Sequence, residues 1–383
     1  MIRQVFTMSL RLEALENCSR CPYGYQLGDN TTYYWRVRAY NTRGAGAWST
    51  VRDFSISTNA DDIVADFGTI GLWLWSAGVW SSITGVNPDG MIAADTDGDN
   101  KDEIVVDFGA VGLWLWDDGA WTQMSGVNAD GMISADTDGD GKDEVVGDFG
   151  AVGLWLWDSG VWTMLSGVNA DGMIAADVDG DSAAEVVADF GPVGLWIWNA
   201  GVWTQISGVN ADGMIRANVD SDAEDEVIVD FGTVGLWLYD AGGWTELSGV
   251  NAQGMVAGDL DADNQDELAV DFGSLGLWIW NSGSWTQVSG VNPESLLTAN
   301  VTSSASSELI VDFGALGIWM LDSESWTQIS TSNPEAMISA NLDADAQAEI
   351  VVDFGSLGIY VWNGGVWSQL SATNPESMIA RRG

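Results

Sequence analysis

Histidine is absent from this chain of 383 residues, and Lys and Arg together number 12 against 56 acids. Without histidine there is no Ser-His-Asp or Cys-His nucleophile and no His₂Glu zinc centre. Cysteine occurs twice, as Cys18 and Cys21. The chain is therefore not a disulfide scaffold, and Cys-Ser-Arg-Cys has neither a second pair nor a histidine to complete a zinc site; a redox pair or chance spacing remains. No run approaches the ~18 apolar residues that a membrane-spanning helix needs. The first residues show no basic-then-apolar secretion pattern, so an exported protein is expected to carry its signal upstream or to have lost it. The shortage of cations is uneven. Residues 1–60 hold seven Arg and four acids, whereas residues 61–383 hold five basic residues and 52 acids. A surface of that charge repels nucleic acid and anionic membranes. A hydrophobic content of 46% argues against disorder.

What is present is a repeat. Asp-Phe-Gly occurs eight times at a spacing of 41, beginning at Asp66, Asp107, Asp148, Asp189, Asp230, Asp271, Asp312 and Asp353. A period in this range marks a solenoid, an array or a propeller. Within one unit, 131–135, 145–149, 153–157 and 161–165 are short apolar runs, and Asp158-Ser159-Gly160 reads as a hairpin turn. Four short strands and no helical period make a propeller blade. Leu154 and Leu156 alternate with Trp155 and Trp157, so both faces are apolar, as a sheet between neighbouring sheets requires. Seven units are complete. Residues 62–83 supply three strands of another, and Met378-Ile379-Ala380 supplies its missing first strand. The reading is an all-β, eight-bladed propeller over 59–383, closed by pairing the C-terminal strand with the N-terminal blade, with a seven-bladed ring plus a stray hairpin as the alternative.

The turn between the first two strands is packed with acids. Asp-x-Asp-x-Asp places carboxylates at alternate positions of a tight loop, and an acid at the ninth position can complete an oxygen shell of the kind that selects Ca²⁺. Asp95/Asp97/Asp99, Asp136/Asp138/Asp140, Asp177/Asp179/Asp181 and Asp259/Asp261/Asp263 are complete. Asn218/Asp220/Asp222 and Asn341/Asp343/Asp345 begin with Asn, and Asn300/Thr302/Ser304 has no carboxylate and is expected to bind no ion. The ninth residues are Glu103, Glu144, Glu185, Glu226, Glu267, Glu308 and Glu349. About four to six Ca²⁺ ions are expected. Arg382 aligns with the first aspartate, and its guanidinium is expected where an ion would sit, near Asp61 or Asp62.

This loop, within a 41-residue repeat, resembles the FG-GAP (integrin-α-like, VCBS-type) propeller repeats, whose D-x-D-x-D-G-x-x-D loop binds calcium between the first two strands of a blade. The resemblance spans 61–383 and departs in having Glu where the family usually has Asp. It implies an extracellular or cell-surface module that serves adhesion, sugar binding or polysaccharide-degrading enzymes.

Of 23 Trp, 21 lie in the repeats. The third-strand pairs, such as Trp114 and Trp116, read as packing between blades. The fourth-strand set, Trp80, Trp121, Trp162, Trp203, Trp244, Trp285, Trp326 and Trp367, is a candidate sugar-stacking surface. The Asp of each Asp-Phe-Gly is expected to bind amides of the next turn. Arg216 replaces a small first-strand residue, either to neutralise nearby acids or to mark a ligand. No carboxylate pair stands out, so no catalysis is expected. Residues 1–58 read as a partial fibronectin type III module, from Tyr34, Trp35, Val37, Ala39, Asn41, Gly44, Gly46, Trp48 and Ser49. The functional expectation is a calcium-stabilised, non-catalytic extracellular binding module for a glycan or surface protein. The alternatives are a structural repeat of a large surface protein or filament, with self-assembly, and an accessory domain of a polysaccharide-active enzyme.

Overall fold

The computed structural model describes the backbone at 31–35, 40–41, 44–45 and 52–56, and residues 60–220, 222 and 224–383. The chain forms two compact units, Met1–Asn59 and Ala60–Gly383. In the first, Thr31–Trp35 pairs antiparallel with Arg52–Ile56, and Tyr40–Asn41 with Gly44–Ala45. Most of the fibronectin-like segment, with Cys18 and Cys21, lies outside the described residues.

The second unit is eight antiparallel four-stranded sheets in a closed ring, as the strand count implied. Blade 1 combines Ser377–Arg382 with Asp61–Asp66, Leu72–Ser76 and Val79–Thr84. Blades 2 to 8 follow, with first strands Gly90–Ala94, Gly131–Ala135, Gly172–Ala176, Gly213–Ala217, Gly254–Gly258, Ser295–Ala299 and Ala336–Ala340. Each complete blade's second strand is buried along its whole length, Glu144–Asp148 for example. The cores lie between blades. Ala176, Val187, Leu195 and Ile197 of blade 4 pack on Val227, Val229 and Phe231 of blade 5. Removing both faces of a sheet from water is what two apolar faces demand.

Local chemistry sets the turns. In blade 3 the hairpin turns through Ser159 (φ 46°) and Gly160 (φ 92°), the left-handed pair that matches strand twist. At the opposite end, Gly150 (φ 59°) opens a single 3-10 turn, Gly150–Val152. A Cβ there would lie 2.6 Å from Asp130 Oδ2, in a backbone conformation that L side chains rarely adopt, so glycine is favoured. Asp148 Oδ1 accepts the Gly150 amide at 3.0 Å, and Oδ2 accepts that of Ala170, in the link to the next blade, at 3.2 Å. The aspartate of each Asp-Phe-Gly thus binds its turn, as expected.

Closure is continuous. Ser377 pairs with Asp66 and the register runs to Arg382 opposite Asp61. Between every two neighbouring blades, the residue at or just before the start of the second strand donates its amide to a carbonyl at or just past the end of the first strand of the blade before. Asp143 N to Asp95 O is 2.7 Å, and the seam is spanned by Asp102 N to Arg382 O at 3.1 Å and Asp61 N to Asn341 O at 2.6 Å. The carboxylate loops and hairpins occupy one face of the ring, the loop face. The 3-10 turns and interblade links occupy the other, the turn face.

Candidate metal centres

The carboxylate loops are organised by their own amides. In blade 3, Asp136 Oδ1 accepts from Gly139 N at 2.7 Å and Asp140 N at 3.2 Å, and Oδ2 from Gly141 N at 2.8 Å. Asp138 Oδ1 takes the amide of Asp140, and Asp140 Oδ1 that of Lys142. Blades 2, 4 and 6 wrap around Asp95, Asp177 and Asp259 in the same way. Asn218 and Asn341 donate their side-chain amides to the carbonyls of Asp222 and Asp345.

Six acidic groups among the described residues bring one carboxylate oxygen per residue within 4.8 Å of one another. Asp95, Asp97 and Asp99 form one, and Asp259, Asp261 and Asp263 another. In blades 3, 4 and 5 the buried glutamate joins, giving Asp136/Asp138/Glu144, Asp177/Asp179/Glu185 and Asp220/Asp222/Glu226. Asp140 and Asp181 stand apart from those triads and brace the loop by accepting amides. In blade 8, Asn363 Nδ2 bridges Asp343 Oδ2 at 3.0 Å and Glu349 Oε1 at 2.8 Å. Oxygen donors without nitrogen or sulfur suit a hard divalent cation.

The ninth-position glutamates provide the sharpest comparison. All seven are at most 4% exposed. In six of them burial raises the carboxyl above its ordinary range, in Glu185, Glu226 and Glu267 to about 7. One oxygen of each accepts the amide of the second loop residue, as Glu226 Oε2 does from Val219 N at 2.6 Å. The other oxygen differs between blades. In blade 7 the loop has hydroxyls, and Thr302 Oγ1 at 2.5 Å and Ser304 Oγ at 2.9 Å both donate to Glu308 Oε1. In blade 5 the loop has acids, and Glu226 Oε1 is buried without a partner among the described residues. A buried unpaired carboxylate oxygen is costly, and a cation between it and Asp220 and Asp222 removes the cost. The Asn300 and Asn341 oxygens are also unpartnered, in an acid-free and an acid-bearing loop alike, so they do not discriminate.

The split blade solves the same problem with an arginine, but not with Arg382. Asp62 stands at the glutamate position, and its partner is Arg381, whose NH2 lies 3.0 Å away. Arg381 is 3% exposed, donates to Asp102 O at 2.7 Å and covers the Trp116 ring at 5.2 Å. Arg382 instead crosses to blade 2, where Nε meets Asp102 Oδ1 at 2.7 Å and NH2 lies 3.8 Å from Asp95. The displacement by one residue follows from register and strand alternation: Arg381 stands opposite Asp62, at a position where six of the other blades have alanine and blade 6 has Gly258, and Arg382 stands opposite Asp61.

Sequence reasoning missed a second use of acids. Asp143 Oδ2 accepts the amide of Asp95 at 3.0 Å, and Asp225, Asp266, Asp61 and Asp102 do the same for Asp177, Asn218, Asn341 and Arg382. At five of the eight junctions these aspartates clasp a blade to the one before it. Their recurrence was visible, but the partner amide is 48 residues upstream at the first of these junctions.

The fourth-strand tryptophans are half-buried between blades. Seven of the eight donate Nε1–H to a backbone carbonyl of the preceding blade's outer strand: Trp80 to Leu370, Trp162 to Met124, Trp203 to Leu165, Trp244 to Ile206, Trp285 to Leu247, Trp326 to Val288 and Trp367 to Ile329. Each also meets its blade's Asp-Phe-Gly phenylalanine, Phe108 and Trp121 at 5.6 Å among them. Their visible role is interblade packing. Along the axis runs a channel of about 1110 Å³, lined by first-strand Met, Ile and small residues. Arg216 projects into it and pairs with Asp225 at 3.1 Å, so it neutralises a neighbouring acid.

No protein-family model matches the chain, and no curated protein matches it. Solved structures share the fold. BBS1N, crystallised in complex with ARL6DN, aligns with a TM-score of 0.50 and 11% identity over 75% of this chain and 93% of that one. The exotype rhamnogalacturonan lyase YesX aligns with a TM-score of 0.50 and 15% identity over 90% of this chain and 75% of that one.

Proposed function

We propose that residues 60–383 are a calcium-stabilised, non-catalytic binding module that works outside the cell, in adhesion or carbohydrate recognition. The observation that carries the metal reading is the contrast among equivalent buried carboxylates. Glu308 is satisfied by hydroxyls and Asp62 by Arg381, whereas Glu226 Oε1 has no donor among the described residues and faces two further acids. Calcium follows from the all-oxygen donor set. An ion bound only by the folded state adds about 2.7 kcal/mol per site at a hundredfold excess over Kd. The melting temperature should fall in EDTA and recover with Ca²⁺; an unchanged melt in low salt would sink the proposal. The recognition half is tested separately on a glycan array. Binding lost on substituting fourth-strand tryptophans supports a lectin, and silence with ordered self-association supports a structural repeat.

A further inference from the structure

The two faces of the ring differ in chemistry. All five basic residues of 61–383 lie in the carboxylate loops (Lys101, Lys142) or on first strands (Arg216, Arg381, Arg382), none of them on the turn face. On that face the third residue of every 3-10 turn is aliphatic and open to water. Val111, Val152, Val193, Val234, Leu275 and Leu316 are among eight equivalents, all 48–54% exposed. Beside each turn sits the residue that precedes the blade's first strand, against the glycine that opens the turn. It is an acid in seven blades, Asp130 beside Gly150 and Asp171 beside Gly191 for example, and Gln253 in the other. Asp130 and Asp171 are exposed, and a cleft of about 130 Å³ between blades 3 and 4 is lined by both together with the buried Asp148.

Isolated exposed aliphatics need no explanation, but a ring of them alternating with uncompensated carboxylates is an interaction surface. The acids repel a second copy of the same face. They suit a side chain with an aliphatic stem and a cationic head, which is the shape of lysine and arginine. We infer that the turn face docks a basic amphipathic segment of a partner protein, with Lys or Arg heads in interblade clefts such as that of Asp130, Asp148 and Asp171, and apolar side chains on Val152 and Val193. Equivalent stations every 41 residues let one segment engage several blades, which raises avidity without new contacts. This inference names the partner of the proposed binding module and does not depend on the metal.

The test uses the full chain in calcium, with a fluorescent peptide of alternating lysine and leucine and anisotropy as the readout. Asp130→Asn with Asp171→Asn should weaken binding roughly tenfold, and Val152→Ser with Val193→Ser by a similar factor. Asp158→Asn with Asp240→Asn, on loop-face hairpins, should leave it within about twofold. Added salt should weaken it, and a lysine–serine peptide should bind less tightly. Near-ultraviolet circular dichroism confirms that each variant is folded. The inference is overturned if the parent protein does not bind, if the hairpin variant loses as much as the turn-face variants, or if the lysine–serine peptide binds equally well. Failure of the calcium reading would appear in the EDTA melt and leave this measurement intact.

Discussion

Arg381→Met removes the one buried cation among the described residues and keeps most of the side-chain length. Asp62, 5% exposed, then has no counter-charge, and Asp102 O loses a donor at 2.7 Å. Breaking a buried pair by removing one partner costs about 3–5 kcal/mol, most of it the burden of the stranded charge. The melting shift depends on the size of the cooperative unit. At about 2.1 cal/mol/K per residue, the Ala60–Gly383 unit unfolds with an entropy of about 0.7 kcal/mol/K. The variant should therefore melt about 4–7 °C lower, measured by calorimetry in saturating calcium. Adding Asp62→Asn should recover part of the loss, because an amide strands no charge, and the double-mutant cycle isolates the pair. A single variant melting within about 1 °C of the parent would refute the claim that this pair holds the seam.

Blade 7 can be converted: Asn300→Asp with Thr302→Asp and Ser304→Asp should add one calcium by titration calorimetry and lower the melt in EDTA, because Glu308 loses its hydroxyl donors. Unchanged stoichiometry would show that the hydroxyls are not substitutes for an ion. Asp230, Asp312 and Asp353 are raised from 3.8 to about 6, chiefly by burial. Their folded pKa exceeds the unfolded one, so their contribution is complete below about 3.8 and is lost as pH rises through about 6. In EDTA the melting temperature should rise as pH falls from 8 to 5, and a flat profile would contradict the burial argument. Trp203→Phe loses the 2.9 Å bond to Leu165 O and should cost about 0.5–1.5 kcal/mol by thermal melt; no loss would remove this bond from the interblade account.

Much of the molecule was legible because repetition averages out local ambiguity. Eight Asp-Phe-Gly copies, four apolar runs per unit and a divided unit at the termini defined the blade and its closure. Less could be read wherever a side chain works across the junction between blades. The tryptophan indoles look like an outer surface in sequence, but their N–H groups reach a carbonyl 38 residues away, as Trp203 reaches Leu165. The seam arginine shifts from 382 to 381 because register with Asp62, 319 residues distant, decides which side chain faces the gap.

The sequence by itself determined the period, the blade, the closing strand and the positions of the acidic loops. These rest on local rules of turn geometry and strand alternation that act within one unit. Only the tertiary structure decided which buried carboxylates find protein donors, which arginine closes the ring, and that the two faces differ in charge compensation. Those depend on distances between atoms far apart in the chain, which become neighbours only when the ring has closed.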